Sequence, residues 1–379
     1  MNKAYEFIGT LEYAPLNKEE RERRAEMLKE QGYLPPNMIP DMDKYPVLHV
    51  MEYLEHPYKN ATKFWNEIPE LDSGRIAEIR DKLFEILTDI YGGDEVVAEY
   101  VLLTLLSKVQ NREDGMPVGI SCINLYSTDE TVSSEILKGT ERFMKLLTAH
   151  TLSAQVDLDS LCSVKMVPKK DYDTNRLSRG DLQILNSTTV LFDETMMKEG
   201  KKESEDLIHN MQGIASLIEE QSVKYNFQYH DQSFECSAPV IIISTGRSIF
   251  KNALPVPVNS KNPPNPDALN ALTEEQLTDF RAYFNQVSRK GHMDIPEECS
   301  KHIQEKFIET RAIEDKQIQE KQKETKDVGA RTLHTWLTYS RLNVVSQGKN
   351  ECSTSVIDHV IDMENARTTR VADILSKDN

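Results

Sequence analysis

A chain of 379 residues is longer than one hydrophobic core usually serves, which predicts two packed units joined by a linker. Hydrophobic residues make up 39% of the sequence and charged residues 28%, a composition typical of a soluble globular protein rather than a disordered one. The formal net charge of -17 disfavours a protein built to grip nucleic acid or anionic lipid, because such proteins present a basic face.

The first ninety residues carry three predicted elements and a turn. Tyr5 to Leu11 is expected to form a strand, Asn17 to Glu30 a highly charged, solvated helix, and Pro35-Pro36 a turn. From Asp72 to Tyr91 apolar residues recur at spacings of three and four, which predicts an amphipathic helix capped by Asp72 or Ser73 and stopped by Gly92-Gly93. A second helix from Asp94 is apolar nearly all round, so we expect it to be buried.

Strands and helices are then predicted to alternate. The predicted strands are Val118 to Leu125, a region within Gln155 to Val164, Thr188 to Phe192, a hairpin arm Val223 to Tyr229, and Pro239 to Ile243; the predicted helices are Ser134 to Ala149 and Leu207 to Ile218. Alternation of this kind implies crossover connections and a largely parallel sheet, so the expected fold class is α/β.

The character of the sequence changes after this region. Five prolines between Leu254 and Pro266 exclude a central strand or a helix there, and we expect a linker. Thr273 to Asp373 shows only helical periodicity, broken by a polar patch from Glu314 to Asp327. The predicted organisation is therefore residues 1–60 as an N-terminal segment, 61–254 as an α/β domain, 255–270 as the linker and 271–379 as a helical domain.

The cysteines and the apolar segments bear on the compartment. The five cysteines are odd in number and contain no Cys-x-x-Cys pair, which is typical of a reducing compartment. No N-terminal stretch has the form of a signal peptide, and the longest apolar segment, Val96 to Val109, is too short and too polar to span a bilayer. We expect a soluble, intracellular protein, in the cytoplasm or the nucleus.

Ligands of open parallel sheets bind beyond the carboxyl ends of the strands, and the first predicted strand ends where a phosphate loop would lie. Such a loop needs glycines, whose amides point inward, a lysine for the outer phosphates and a hydroxyl for Mg²⁺. The segment Tyr126 to Ser133 has no glycine and no lysine, and Asp129 and Glu130 would repel phosphate. Of the required groups it has a hydroxyl, for example that of Ser127. An ordinary connection between strand and helix is the favoured interpretation.

Two further positions resemble parts of a nucleotide site. Asp193 and Glu194 end an apolar strand where an ATPase would bind Mg²⁺ and position water, and Thr245 follows the strand Pro239 to Ile243 where a sensor side chain would lie. At both positions an ordinary strand end is favoured over a nucleotide-binding role. Asp157 and Asp159 lie at strand spacing on one face and could bind a metal, but such pairs are common, and the histidines and cysteines form no cluster of metal-ligand spacing.

Several segments of unusual composition, occurring in one order, resemble the mini-chromosome-maintenance-complex-binding protein family. They are Lys169 to Leu177, Gly180 to Gln183, Phe192 to Thr195, Tyr225 to His230, Phe234 to Cys236 and Gly246 to Ser248. The opening Tyr5 to Tyr13 and the helix Ala98 to Leu106 are also similar, so the likeness spans most of the chain. Family members are generally longer at the N-terminus, so the chain is expected to represent their C-terminal portion or a shortened member.

The resemblance implies an AAA+-like fold, similar to the ATPase subunits of the replicative MCM helicase that the family binds. This fold would have a parallel sheet with flanking helices, a degenerate nucleotide site and a C-terminal helical, lid-like unit. Arg331 falls where a helicase subunit would carry a phosphate-sensing arginine, although a solvated helix arginine is an equal alternative. No cofactor, metal or catalytic residue is expected.

The resemblance implies a non-catalytic protein that binds MCM helicase subunits and regulates assembly, protection or chromatin removal of the complex during DNA replication. The implied setting is the nucleus, with possible presence in the cytoplasm, indirect association with chromatin, no membrane, and roles in the cell cycle, cell division and sister chromatid cohesion. The acidity either attracts a basic protein surface or only keeps the chain soluble.

Two other functions remain open. One is an active ATPase with an atypical phosphate loop. The other is a DNA-binding module, since five basic residues cluster in sequence and could contact phosphates. They are Lys165, Lys169, Lys170, Arg176 and Arg179.

Overall fold

The computed structural model of the protein describes residues 4–12, 47–56, 70–172, 176–198, 204–289, 295–321 and 330–377, and the positions 22, 23, 26, 27, 30, 200, 202 and 293. The strands are β1 (Ala4–Glu12), β2 (Val47–His56), β3 (Asn111–Glu113), β4 (Met116–Val118), β5 (Cys122–Tyr126), β6 (Thr151–Gln155), β7 (Lys169–Asp171), β8 (Arg176–Ser178), β9 (Thr189–Glu194), β10 (Ser222–Asn226), β11 (Asp231–Glu235), β12 (Val240–Ser244) and β13 (Leu254–Pro257). The helices are α1 (Ser73–Ile90), α2 (Glu95–Leu106), α3 (Glu130–Leu147), α4 (Leu158–Ser163), α5 (Glu205–Glu219), α6 (Glu274–Arg289), α7 (Glu297–Lys321), α8 (Ala330–Ser346) and α9 (Thr354–Lys377), with a 3₁₀ turn at Ala268–Ala271.

The predicted N-terminal strand is confirmed as β1, which pairs with β2 in an antiparallel ladder. The predicted charged helix at 17–30 lies largely outside the described residues, of which 22, 23, 26, 27 and 30 are helical. The predicted proline turn lies outside them entirely. The next two helices are confirmed: Asp72 caps α1, Asp94 caps α2, and Gly92 ends α1 with a φ of +62°.

A five-stranded sheet of order β13-β5-β12-β9-β6 lies at the centre of the fold, and every neighbouring pair in it is parallel. This confirms the predicted α/β class with a parallel sheet. A smaller sheet of order β11-β10-β7-β8 contains the predicted hairpin, which is formed by β10 and β11.

Alternate residues of the central strands enter two different hydrophobic cores. In β12, Ile241 and Ile243 pack into a core shared with α1, α2 and α3, while Val240 and Ile242 pack into a second core with α4 and α5. Because helices cover both faces of the sheet, the side chains on both faces of β12 are apolar. This explains why the sequence of β12 is a continuous apolar run.

Two predicted strands differ in the structure. The predicted strand Val118 to Leu125 is two strands, because Gly119 adopts a φ of +93° that breaks the extended backbone between β4 and β5. The predicted strand region Gln155 to Val164 was wrong beyond Gln155. Asp157 there is the N-cap of α4, and its carboxylate accepts hydrogen bonds from the backbone N–H groups of Asp159 and Ser160 at 2.7 and 2.8 Å.

The predicted linker begins with an edge strand of the central sheet, because β13 pairs in parallel with β5. Proline is excluded from central strands but tolerated on an edge, where its missing N–H faces away from the neighbouring strand. The two prolines of β13, Pro255 and Pro257, direct their carbonyl groups away from the sheet. These carbonyls accept hydrogen bonds from Arg367 at 2.8 Å and from Arg370 at 3.3 Å, both on α9.

The helical character predicted for the C-terminal part is confirmed by α6 to α9. The polar patch predicted from Glu314 lies partly within α7, which continues to Lys321, and partly at 322–329, outside the described residues. Tyr283, Tyr339 and Val360 of these helices belong to the same core as Ile241 of the sheet. A smaller core surrounds Trp336. The boundaries predicted between the domains stay a prediction. No helix in the described part of the chain is long and apolar enough to cross a membrane.

Candidate functional site

The chain leaves β5 and β12 in opposite directions at the carboxyl edge of the central sheet. From β5 it passes through α3 to the far strand β6, whereas from β12 it returns to β13 on the other side of β5. Neighbouring strands whose connections diverge in this way open a crevice in which α/β proteins commonly bind ligands. Six of the seven residues predicted for a degenerate nucleotide site lie at this edge.

The loop after β5 satisfies the N-terminus of α3 with its own carboxylate. Asp129 is the N-cap residue, and its side chain accepts hydrogen bonds from the backbone N–H groups of Thr131 at 2.8 Å and Val132 at 3.3 Å. Glu130 follows in the first turn and is exposed. In a phosphate site these amides would face the ligand. Here an internal negative charge occupies the position of the anion.

Hydrogen bonds also join the carboxyl ends of β5 and β12 and the segments that follow them. Asn124 donates to the hydroxyl of Ser244 at 2.7 Å and accepts from the backbone N–H of Ser248 at 3.0 Å. The hydroxyl of Ser133 lies 3.2 Å from the carbonyl oxygen of Ser127 and 3.3 Å from that of Ser244. Polar groups of the chain therefore bond to one another between the two strand ends.

The acidic pair at the end of β9 is divided between two environments. Asp193 accepts hydrogen bonds from the backbone N–H and the hydroxyl of Thr195 at 2.9 and 2.6 Å. Glu194 is only 2% exposed and accepts a hydrogen bond from the Ser248 hydroxyl at 2.9 Å. Burial raises the pKa of Glu194 to about 7, against the opposing effect of its hydrogen bonds. Thr245, directly after β12, is partly buried.

Arg331 lies at the other end of the sheet. Its guanidinium donates a hydrogen bond to the carbonyl oxygen of Asn252 at 2.5 Å. It lines a pocket of about 430 Å³ together with Cys122 and Leu254, the first residues of β5 and β13. The structure therefore separates Arg331 from the residues at the carboxyl edge.

No group of three or more His, Cys, Asp and Glu side chains suited to a metal ion occurs in the described part of the chain. Asp157 and Asp159 do not lie on a strand; they belong to the capped start of α4. The assignment of the carboxyl edge as a degenerate nucleotide site stays a prediction.

A second candidate surface was not predicted as a site. We call it the hairpin groove; it lies between β7 with the segment that joins α4 to β7, the turn of the hairpin β10–β11 and the first turns of α5. Asn226 of β10 pairs with Lys169 of β7, so two of the segments that carry the family resemblance meet there. One pocket of about 430 Å³ and another of about 390 Å³ share Lys169, His209, Asn226 and Gln228. Alternating residues predicted the hairpin, but nothing in the sequence placed α5 beside it.

Comparisons with known proteins agree on one family. The family model described as mini-chromosome maintenance replisome factor matches residues 1–371. Relatives called mini-chromosome maintenance complex-binding protein include one from Danio rerio, 31% identical over 286 residues, which covers 74% of this chain and 43% of the relative. The Homo sapiens relative is 28% identical over 78% of this chain and 45% of its own length. The Arabidopsis thaliana relative is 27% identical over 98% and 60%. The chain thus spans about half the length of the curated relatives it matches.

Proposed function

The chain belongs to the mini-chromosome maintenance replisome factor family, and we propose that it binds subunits of the MCM helicase complex without catalysing a reaction. The names of the relatives support the partner. The self-capped start of α3 is the observation that carries the non-catalytic part of the proposal. There the carboxylate of Asp129 accepts from the amides that a nucleotide phosphate would need.

The proposal includes an AAA+-like scaffold with a degenerate nucleotide site. Three features support it: a parallel sheet, a first strand that leads through a short loop into α3, and helices on both faces. Numbered in the order in which the chain forms them, the central strands stand in the order 5-1-4-3-2. A domain shaped like a helicase subunit, but without its own nucleotide, would contact a neighbouring subunit by mimicry. Such binding in the nucleus would regulate assembly, protection or removal of the complex.

Purified MCM subunits provide the test of the partner. We expect the purified chain to bind at least one subunit in biolayer interferometry and to co-elute with it in size-exclusion chromatography. Binding to none of the subunits would contradict the proposal.

Calorimetric titration with ATP and Mg²⁺ tests the absence of a nucleotide site. The chain should give no binding heat, because Asp129 and Glu130 place negative charge at the start of α3. ADP should give the same result. Micromolar affinity for either nucleotide would favour an ATPase with an atypical phosphate loop.

A further inference from the structure

The hairpin groove presents an unusually exposed pair of aromatic side chains. Tyr229 at the hairpin turn is 81% exposed, and Tyr172 after β7 is 47% exposed. Their rings are in edge-to-face contact with centroids 5.6 Å apart. Exposed tyrosines of this kind are enriched at protein interfaces, because one side chain supplies both apolar area and a hydrogen-bonding group.

The turn that carries Tyr229 is held in place by the chain itself. The Tyr172 hydroxyl donates to the carbonyl oxygen of Phe227 at 3.0 Å, and the backbone N–H of Gln228 donates to the Asn226 side chain at 2.7 Å. Gln228 has a φ of +63°, a backbone conformation that these bonds must maintain. The ring of His230 stacks on that of Phe227 on the same turn. Since these bonds already hold the turn in one conformation, binding of a partner would cost little conformational entropy at the turn.

Two lysines of the groove have no counter-charge among the residues that the structure describes. Both Lys165 and Lys169 are exposed, and among the described residues no carboxylate lies within 4.0 Å of either ammonium group. Other charged groups also line the groove. Lys170 and Asp171 have interactions of their own, Glu205 lies 3.5 Å from His209, and Asp206 and Asp231 line the two pockets as well.

We propose that the hairpin groove docks a short acidic peptide segment of the partner protein. Carboxylates of the peptide pair with Lys165 and Lys169, and an adjacent side chain packs on the rings of Tyr172 and Tyr229. The proposal rests on the proposed function, because it assigns this surface to the interaction with an MCM subunit.

Charge favours a peptide over a nucleic acid as the occupant. A duplex presents a continuous row of phosphates. A protein binds it tightly by placing many basic side chains against those phosphates, because this releases counterions. Lys165 and Lys169 have no carboxylate within 4.0 Å among the described residues, but Glu205, Asp206 and Asp231 also line the groove, and the chain has a net charge of -17. Two isolated lysines suit a segment with a few carboxylates.

Surface substitutions test the assignment. The variants are Lys165→Glu with Lys169→Glu, Tyr229→Ala, and the conservative Tyr229→Phe. The control is Lys198→Glu with Lys251→Glu, two exposed lysines that do not line the groove and that give the same change in net charge. Each purified chain is measured by biolayer interferometry against the immobilised MCM subunit that binds the wild type, and against a 25-base-pair DNA duplex. Circular dichroism verifies that each variant is folded.

The double lysine variant and Tyr229→Ala should each weaken binding to the subunit at least tenfold, whereas Tyr229→Phe and the control should stay within about threefold of the wild type. The affinity of the wild type should fall more steeply with salt than that of the lysine variant. Binding that is unchanged in both groove variants would overturn the docking proposal and leave the proposed function intact. A wild type that binds no subunit would overturn both. Duplex binding that the lysine variant abolishes would identify nucleic acid as the occupant and overturn the peptide assignment.

Discussion

Glu194 is a buried acid whose environment opposes its ionisation. Burial is the largest cause, the neighbouring charge of Asp193 adds to it, and hydrogen bonds from the Ser248 hydroxyl and the Ile249 backbone oppose it, so that the pKa is raised to about 7. In the unfolded chain the same carboxyl ionises near its ordinary pKa of about 4.3. The folded protein therefore holds a proton that the unfolded chain has released, and this difference destabilises the fold as pH rises between those two values.

Replacing Glu194 with Gln should remove this pH dependence. The amide has nearly the same size, cannot ionise and can still accept from the Ser248 hydroxyl. Relative to the variant, the wild type should lose about 3 kcal/mol of unfolding free energy between pH 5 and pH 8. Urea unfolding at pH 5, 6, 7 and 8 measures the difference. The control is Glu130→Gln at an exposed position, whose unfolding free energy should change with pH as that of the wild type does. If the unfolding free energy of Glu194→Gln also changed with pH in parallel with the wild type, the prediction would be contradicted.

Asp129 should contribute to stability as a helix cap. Its carboxylate satisfies two backbone N–H groups at the start of α3, which would otherwise have no partner within the helix. Asp129→Ala should cost about 1 kcal/mol of unfolding free energy, while Asp129→Asn, which keeps an acceptor oxygen, should cost only a few tenths. Urea unfolding near pH 7 compares the two. Equal stability of the alanine and asparagine variants would show that the cap does not matter.

At the scale of whole elements, α9 covers the open edge of the central sheet. An edge strand exposes unpaired backbone groups, and proteins protect such edges in several ways. In β13 the prolines remove the outward N–H groups, and Arg367 and Arg370 satisfy the outward carbonyls. Arg367 is itself paired with the buried Glu364, and Arg370 with Asp94, the N-cap of α2. The last helix of the chain is therefore bound to the sheet by charged and backbone contacts.

Removing Arg367 should destabilise the protein strongly. Arg367→Met keeps most of the side-chain volume but leaves the charge of Glu364 buried, and among the described residues its remaining donor is the Tyr100 hydroxyl, at 2.5 Å. We expect a loss of about 3–5 kcal/mol in urea unfolding. Adding Glu364→Gln to the same chain should recover part of this loss, because the uncompensated charge disappears. The control is Arg311→Met, at an exposed position on α7. If Arg367→Met alone were as stable as this control, the prediction would be refuted.

Periodicity identified the elements whose burial follows a simple rule. The spacing of Ile76, Ile79 and Leu83 gave α1 because one face of that helix packs on the core, and the apolar run of β12 gave a strand covered on both faces. The missed elements follow from local backbone chemistry that hydropathy does not report. Gly119 interrupts an apolar run through its positive φ, and Asp157 starts a helix of only six residues.

The candidate sites were predictable only where the chemistry is local. The missing glycines and lysine after β5 were visible in the sequence, and so was an acidic residue placed to cap α3. Glu194 accepts a hydrogen bond from Ser248, 54 positions away, and the separate location of Arg331 depends on how α8 packs. The hairpin groove likewise brings His209 of α5 beside Asn226, a contact that no short motif contains.

At the scale of the whole molecule, side chains of the C-terminal helices and of the central sheet belong to one shared core. The ring of Tyr339 on α8 meets that of Tyr100 on α2 edge-to-face at 5.0 Å, and its hydroxyl lies 2.5 Å from that of Ser121. On the same helix, Trp336 packs into the smaller core. Since α8 contributes to both cores, loss of one should expose apolar surface in the other and favour cooperative unfolding.

Unfolding of the full chain in urea should therefore occur in a single transition. The measurement uses Trp65→Phe, so that the fluorescence reports Trp336 of the smaller core, while far-UV circular dichroism reports the whole backbone. Coincident midpoints and slopes are expected, because Tyr339 and Trp336 lie about one turn apart on α8 and cannot lose their cores independently. Tyr339→Ala removes the contact with Tyr100 and is the matched perturbation: it should shift both transitions to lower urea by the same amount. A fluorescence transition that separates from the circular dichroism, or that Tyr339→Ala leaves in place, would instead show that the C-terminal helices form a domain of independent stability.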